Sequence, residues 1–303
     1  MSAREDTIIA TVLAATPHRP APEGPGDDAA RVGARVITTD LLVEGTHFVR
    51  AHPPELLGWK ALAVNLSDVA AMGARAEAFT LALGVPRDVD DTWVRAFAAG
   101  LGACARWADV VVAGGDTVRA DQITISITAW GVVEHALLRR SGGQPGDVLM
   151  TVGAIGRAGE GLARWLGHQA ADLADPCVVA QLRPEPPIWA GPFAAQHGAH
   201  AGMDLSDGLA SDLPRLAAAS GLALVVDLDH LPADPALTLD ARARAAHGED
   251  YGLVVLVPPS AVATFVARGF SAIGCACEGR AGHVVWRDAE REVAPVLPSF
   301  AHF

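Results

Sequence analysis

The chain has almost no lysine: of its 23 basic residues only Lys60 is not an arginine. A Walker A phosphate loop needs a lysine directly before Ser or Thr at the end of a glycine-rich run, and Lys60 follows Trp59 instead. The protein-kinase set, with its strand lysine, is missing as well. Any nucleotide chemistry here must use carboxylate-bound metal and arginine. Cysteine is scarce too. Cys104, Cys177, Cys275 and Cys277 are scattered, and no second Cys/His pair joins Cys275 and Cys277 to complete a zinc set, so they read as reduced thiols in strands. Long apolar runs are absent. Mean hydropathy is +0.26, but Asp, Gly or Arg breaks each run before it reaches bilayer length. No apolar segment follows the opening Met-Ser-Ala-Arg-Glu-Asp, so no secretion signal is expected. The expectation is a soluble, cytoplasmic protein with no membrane partner. A net charge of -12 argues against nucleic acid as the main partner. A nucleotide remains open, because a bound cation reverses the local sign.

What the chain does have is a series of acidic motifs flanked by small residues. They are Gly-Asp-Asp-Ala-Ala (Gly26 to Ala30), Thr-Thr-Asp (Thr38 to Asp40), Asn-Leu-Ser-Asp (Asn65 to Asp68), Gly-Gly-Asp-Thr (Gly114 to Thr117) and Asp-Leu-Ser-Asp-Gly-Leu (Asp204 to Leu209). Magnesium takes one or two carboxylates plus substrate phosphates, so the series suggests several ions between protein and polyphosphate. Each Asp alone serves equally well as a turn or helix cap. Converging several costs about 4 kcal/mol per like-charged pair at 4 Å and an effective dielectric of 20, unless cations lie among them. Thr38 and Thr39 add oxygens, or are ordinary strand threonines. Gly114-Gly115 lets backbone approach a ligand beside Asp116, or forms a plain turn. Ser206 and Asp207 stand where a helix begins, a place suited to phosphate and equally to a cap. Arg140 suits a bidentate phosphate contact; its alternative is a solvated arginine between domains. His47 reads as a ligand contact or a structural histidine. Glu249 and Asp250 face a cationic ligand or cap a turn.

Length favours two domains. The patterning predicts a short helix or extended lead-in over 5–15, a loop over 16–26 and a strand over 34–39 ending in Thr-Thr-Asp. A helix is expected over 53–73, with Pro53 and Pro54 in its first turn and Gly73 at its C-cap. Further strands are expected at 77–85, 109–113 and 122–133, with a helix at 90–107. After a boundary near 134–146, the expectation is a strand at 147–152, helices from 157 to 198, and a helix at 207–220. Strands at 222–228 and 252–257, a helix at 260–268 and a hairpin across 271–287 follow. Interleaved strands and helices favour an α/β (α+β) class, and no solenoid repeat is visible.

Together the motifs resemble the thiamine-monophosphate kinase family, of the superfamily that includes aminoimidazole ribonucleotide synthetase and selenophosphate synthetase. The resemblance runs from Gly-Asp-Asp-Ala-Ala through Val-Glu-Gly-Thr-His-Phe, the long segment Gly58 to Ala74, Gly-Gly-Asp-Thr, Arg-Ser-Gly, Asp-Leu-Ser-Asp-Gly-Leu and Gly-Glu-Asp-Tyr to a terminal His-Phe. It implies ATP-dependent phosphorylation of thiamine monophosphate to thiamine diphosphate. It implies that Asp28, Thr38, Thr39, Asp40, Asp68, Asp116, Asp204 and Asp207 hold Mg2+ ions. Gly115, Asp116, Arg140 and Ser206 would meet ATP, and His47, Glu249 and Phe300 the thiamine phosphate. The implied fold is the two-domain aminoimidazole ribonucleotide synthetase-like fold. Its N-terminal metal- and ATP-binding domain (1–138), with a mixed sheet, pairs in a homodimer, and an α/β domain (139–303) completes the ATP and acceptor sites. The departures are Gly24-Pro25-Gly26 for the usual Gly-Ile-Gly, His247 for a glycine, Gly252 for an acidic residue, and the tail Ser-Phe-Ala-His-Phe. Most of them fall at the acceptor end.

The chemistry follows. The nucleophile is a phosphate oxygen already ionised near neutral pH, so no dedicated catalytic base is expected. In-line transfer then depends on positioning and charge neutralisation. The alternatives are another ATP-using member of the superfamily and a non-catalytic protein that binds metal or thiamine phosphate. A selenophosphate-making relative would need a reactive cysteine near the start, and none precedes Cys104.

Overall fold

The computed structural model describes residues 3–168, 172–232 and 234–298. Helix α1 (Ala3–Ala15) and strands β1 (Ala30–Val32) and β2 (Arg35–Val43) come first, then helix α2 (Pro54–Ala71), strand β3 (Ala74–Val85), helix α3 (Asp91–Trp107), and strands β4 (Val111–Arg119) and β5 (Thr124–Val133). The strands form one sheet in the order β1-β2-β5-β3-β4. The alternation in β5 buries Ile125, Ile127 and Ala129 on one face. Helix α2 covers that face.

Helix α2 is buried almost all round, the signature of an interior helix rather than a surface one. Pro54 starts it, and Gly73, at φ 74°, takes the left-handed conformation just beyond its end. Its neighbours come close because glycines let them. A Cβ on Gly100 would lie 1.7 Å from the Glu55 carbonyl oxygen, and one on Gly58 would lie 2.0 Å from that of Phe97, so α2 and α3 cross backbone to backbone.

The rest of the chain builds a second sheet. Its elements are β6 (Val148–Val152), α4 (Arg157–His168), α5 (Pro176–Leu182), α6 (Ala190–Gln196), β7 (Ala201–Leu205), α7 (Leu209–Ser220), β8 (Ala223–Asp227), α8 (Ala241–Ala246), β9 (Gly252–Val257), α9 (Val262–Ala267), β10 (Ser271–Cys277), β11 (Val284–Asp288) and β12 (Arg291–Val293). The order is β12-β11-β8-β10-β6-β9-β7. Strand β9, Gly-Leu-Val-Val-Leu-Val, is buried on both sides. Val254 and Leu256 join the core under α7, while Leu253, Val255 and Val257 join the core with α6 and α9. Helices α5 and α6 also pack on α2, which therefore lies between the two sheets. A Cβ on Gly191 of α6 would sit 1.6 Å from the Ala70 carbonyl oxygen of α2.

Four expectations need correction. Strand β2 continues to Val43, and β4 begins at Val111 and runs on to Arg119, so Thr-Thr-Asp and Gly-Gly-Asp-Thr lie inside strands rather than at their ends. Ladder hydrogen bonds with β5 and β3 extend both segments. Asp204 lies in strand β7, and the following helix begins at Leu209 rather than 207. No hairpin spans 271–287: β8 inserts between β10 and β11, pairing antiparallel with one and parallel with the other. The lead-in over 5–15 is helical.

Candidate active site

The middle of β2, the second half of α2, the end of β7 and the loop before β1 meet between the sheets. Each brings a carboxylate. Thr38 donates through its hydroxyl to Asp68 at 2.6 Å, and one residue earlier Ser67 donates to Asp204 at 3.0 Å. Asn65 accepts from the Asp40 backbone N–H at 3.0 Å, fixing β2 against α2. Asp28 accepts from Arg140 Nε at 2.9 Å and from the Asp204 backbone N–H at 3.4 Å. Its neighbour Asp27 accepts from the Arg140 backbone N–H at 2.9 Å.

The electrostatics show how crowded this is. Burial lifts the Asp28, Asp68 and Asp204 carboxyls above the usual range, and lifts Asp40 to about 6. At Asp68 the charges of Asp40, Asp204 and Asp28 then push the same way. At Asp28 burial outweighs the pull of Arg140. As the side chains stand, no three His, Cys, Asp or Glu among the described residues converge tightly enough to grip one ion. Arg140, Thr38 and Ser67 each engage one of these carboxylates. The donor set is nonetheless all hard oxygen, with excess negative charge, and it fits magnesium.

Asp207, at the turn into α7, pairs with Arg215 at 2.7 Å, and its N–H donates to Asp212 at 3.0 Å. Asp212 is fully buried; burial first, and then Asp207, lift it to about 7. Neither Asp212 nor Arg215 is singled out by the sequence motifs. Glycines close this corner. A Cβ on Gly208 would meet the His247 carbonyl oxygen at 2.2 Å, and one on Gly248 that of Ser206 at 2.5 Å. The next residues, Glu249 and Tyr251, hold φ of 66° and 51°, strain typical of functional loops.

A cavity of about 500 Å³ opens beside these carboxylates. Asp40, Asp68, Asp204, Ser206 and Asp207 share its wall with His47, Phe48, Leu162, Trp165, Gln181, His247 and Glu249. The predicted acceptor residues His47 and Glu249 thus line the same space as four of the predicted metal carboxylates. His47 Nδ1 accepts from the Val43 N–H at 3.1 Å, which turns the chain out of β2. Glu249 is engaged on both oxygens, by Lys60 Nζ at 3.0 Å and by Gln181 Nε2 at 2.5 Å. Lys60, 1% exposed, also donates to the Gln181 carbonyl at 3.0 Å. Nearby His52 is held neutral, its pKa lowered to about 3 by burial and then by Lys60. His247 lies against Gly159 of α4, where a Cβ would be 2.3 Å from its ring.

Other expected site residues lie elsewhere. The pleat puts Thr39 on the opposite face of β2 from Thr38, where its hydroxyl meets that of Thr128 at 2.8 Å. Asp116 pairs in register with Ala82, whose row continues through Ser126 to Leu41. Paired residues share a face, so Asp116 stands on Thr39's side, three strand spacings or about 14 Å from β2. It is exposed and accepts from the Thr117 N–H at 2.8 Å. Within this chain it does not join the other carboxylates. Gly115 is required by the sheet itself, since a Cβ would lie 2.0 Å from the Leu81 carbonyl oxygen. Arg140 meets Asp28 rather than an open phosphate-sized space. Phe300 falls outside the described residues.

Residues 26–133 match the family described as AIR synthase related protein, N-terminal domain, and 144–287 match its C-terminal domain. The two-sheet architecture is therefore that of an AIR synthase related protein. Curated relatives narrow this. The chain is 38% identical over 251 residues to the thiamine-monophosphate kinase of Synechococcus elongatus, covering 77% of each chain. It is 38% identical over 274 residues to that of Mycobacterium tuberculosis, covering 85% of this chain and 80% of the relative. The solved structure of AaThiL complexed with AMPPCP and TMP superposes with a TM-score of 0.83 at 28% identity, covering 97% of both chains. The chain belongs to the thiamine-monophosphate kinase family.

Proposed function

We infer that this protein transfers the γ-phosphoryl group of ATP to thiamine monophosphate, giving thiamine diphosphate and ADP. Curated relatives at 38% identity carry that activity in their names, and the AaThiL structure holds an ATP analogue together with TMP. The observation in this chain that carries the reading is the shared wall. One cavity is lined by Asp40, Asp68, Asp204 and Asp207 and by the apolar and acceptor residues Phe48, Trp165, His47 and Glu249. A polyphosphate and an organic phosphate monoester can thus meet in one place.

The residue roles are part of the proposal. Asp28, Asp40, Asp68, Asp204 and Asp207, with Thr38, would hold Mg2+, which neutralises phosphate charge during transfer. Ser67 and Asn65 orient Asp204 and β2. Arg140, released from Asp28, and Ser206 would contact ATP phosphates; Gly115 and Asp116 are assigned to ATP by the family resemblance alone, since Asp116 faces away from α2. His47, Glu249 and Phe300 are assigned to the acceptor. No side chain need remove a proton, because the attacking phosphate oxygen is already anionic. We divide the chain at 138/139, one sheet to each side. We also propose a homodimer. The face of the first sheet away from α2 exposes Ile37, Leu41, Val111 and Val118, and exposed apolar patches on sheets mark association surfaces. No helix among the described residues is long and apolar enough to cross a membrane; we assign the protein to the cytoplasm, where fractionation tests it.

The experiment is product analysis with MgATP and two acceptors. Thiamine monophosphate should yield thiamine diphosphate, and free thiamine, which lacks the anionic nucleophile, should yield nothing. Turnover of thiamine with none of the monophosphate would reject the assignment.

A further inference from the structure

Five acids among the described residues line the cavity: Asp40, Asp68, Asp204, Asp207 and Glu249. The first four belong to the set assigned to magnesium, which leaves Glu249 as the one carboxylate for the organic part of an acceptor. Its charge is already taken. Lys60 Nζ lies 3.0 Å from one carboxylate oxygen, and Gln181 Nε2 lies 2.5 Å from the other. The Lys60 side chain is 1% exposed and that of Glu249 30%. Among the described residues no other acid pairs with Lys60, and a buried ammonium stripped of its counterion is strongly unfavourable. Glu249 therefore cannot turn to a ligand cation without stranding Lys60. Its backbone is pinned as well: its N–H donates to the Ser206 carbonyl at 2.7 Å, at a φ of 66°. His52, on the same wall, brings no charge, because burial and then Lys60 lower its pKa to about 3.

We propose that Lys60 cancels the charge of Glu249, so that the site takes phosphate monoesters of the shape of thiamine monophosphate whether or not their middle ring is charged. The inference rests on the thiamine monophosphate reading and deepens it by naming the acceptor class. Thiamine monophosphate joins an anionic phosphate, a cationic thiazolium and a neutral aminopyrimidine. The phosphate belongs with the magnesium carboxylates. An unpaired carboxylate on the remaining wall would make the thiazolium charge the recognised feature. The ion pair removes that attraction and leaves shape and apolar contact, from Phe48, Leu162 and Trp165. Aromatic side chains retain a weak pull on a cation, which bounds the charge preference that survives. Lys60 is thus a positioning residue, acting on the acceptor only through Glu249.

The test uses the full-length protein with MgATP and two acceptors: thiamine monophosphate, and its 3-deaza analogue, in which carbon replaces the charged ring nitrogen and leaves a neutral ring of the same shape. The wild type should use both, with kcat/KM values within about 5-fold, the range a weak aromatic contact to the cation allows. Lys60→Met frees the Glu249 charge and should raise the preference for the cationic acceptor by about 10-fold or more, through KM, while KM for ATP stays put. Adding Glu249→Gln should return the ratio to the wild-type value. A purely structural role for Lys60 would lower activity on both acceptors and keep their ratio. A wild-type preference for the cation beyond about 5-fold overturns the proposal, even if Lys60→Met does not fold. So does a folded Lys60→Met whose ratio is unchanged. Absence of wild-type turnover on thiamine monophosphate overturns the functional reading and this proposal with it, whereas turnover of the cationic acceptor alone overturns only this proposal.

Discussion

At the scale of single residues, the site is a balance of charges that its own neighbours only partly offset. Asp68 and Asp204 are both lifted by burial and then by neighbouring carboxylates. Asp68→Asn and Asp204→Asn should each cut kcat by at least about 100-fold, the scale of losing one electrostatic group aimed at a transition state. Each should also leave metal-free melting unchanged or raised by roughly 2–4 °C per kcal/mol of relieved repulsion. Steady-state rates beside melting curves without metal decide this; near-normal rates in both variants would make these carboxylates structural caps. The chain's single lysine offers a second test. Lys60→Met leaves the part-buried Glu249 with Gln181 but without its ion partner and should destabilise by about 1–3 kcal/mol, the scale for leaving one partner of a hydrogen-bonded pair unsatisfied. Adding Glu249→Gln to it should recover most of that loss. Denaturant unfolding of the two variants checks it, and additive losses would mean the pair is not coupled.

At the scale of elements, glycine contacts set the frame. Gly100→Ala forces a Cβ against the Glu55 carbonyl of α2 and should cost about 1–3 kcal/mol or more. A variant as stable as the parent in denaturant melts would contradict the close helix crossing. Much of this frame was legible in the sequence. The period of β5 and the proline start and glycine end of α2 are local signals, and they fall where expected. The resemblance grouped Asp28, Asp40, Asp68 and Asp204 with Asp116; the first four stand in one neighbourhood, and Asp116 does not join them. What was not legible is non-local. The insertion of β8 between β10 and β11 depends on pairing partners far apart in the chain. So does the strand continuing through Asp116, which carries that residue to the sheet's other face. The Lys60 pair with Glu249 joins α2 to a loop in the second half, and a lone lysine in a helix gives no hint of it. Ser67, by contrast, stood inside a recognised motif and was available as a partner for Asp204.

At the scale of the molecule, the buried acids make stability depend on pH. Burial raises Asp40 to about 6, and Asp212 and Asp250 to about 7, from an ordinary 3.8. The folded state then holds more protons than the unfolded one between those values, so stability falls as pH rises through that window and levels off above it. For Glu160 burial acts upward, but bonds from Thr238, Leu239 and Arg164 outweigh it and bring the group down to about 2 from 4.5. Its contribution is lost only at lower pH, and does not cancel the trend. Metal-free protein should therefore melt higher near about pH 5.5 than near about pH 8, and Mg2+, which favours ionised carboxylates, should stabilise more at the higher pH. Melting curves with and without magnesium at both values test the sign; a metal-free protein more stable at the higher pH would contradict it. The central claim is direct transfer between two phosphates, with no side chain taking the phosphoryl group. It is tested most directly with ATP made chiral at its γ-phosphorus by oxygen isotopes. A single in-line displacement predicts inverted configuration in the β-phosphoryl group of the thiamine diphosphate formed. Retention, which requires a phosphorylated intermediate on the protein, would contradict it.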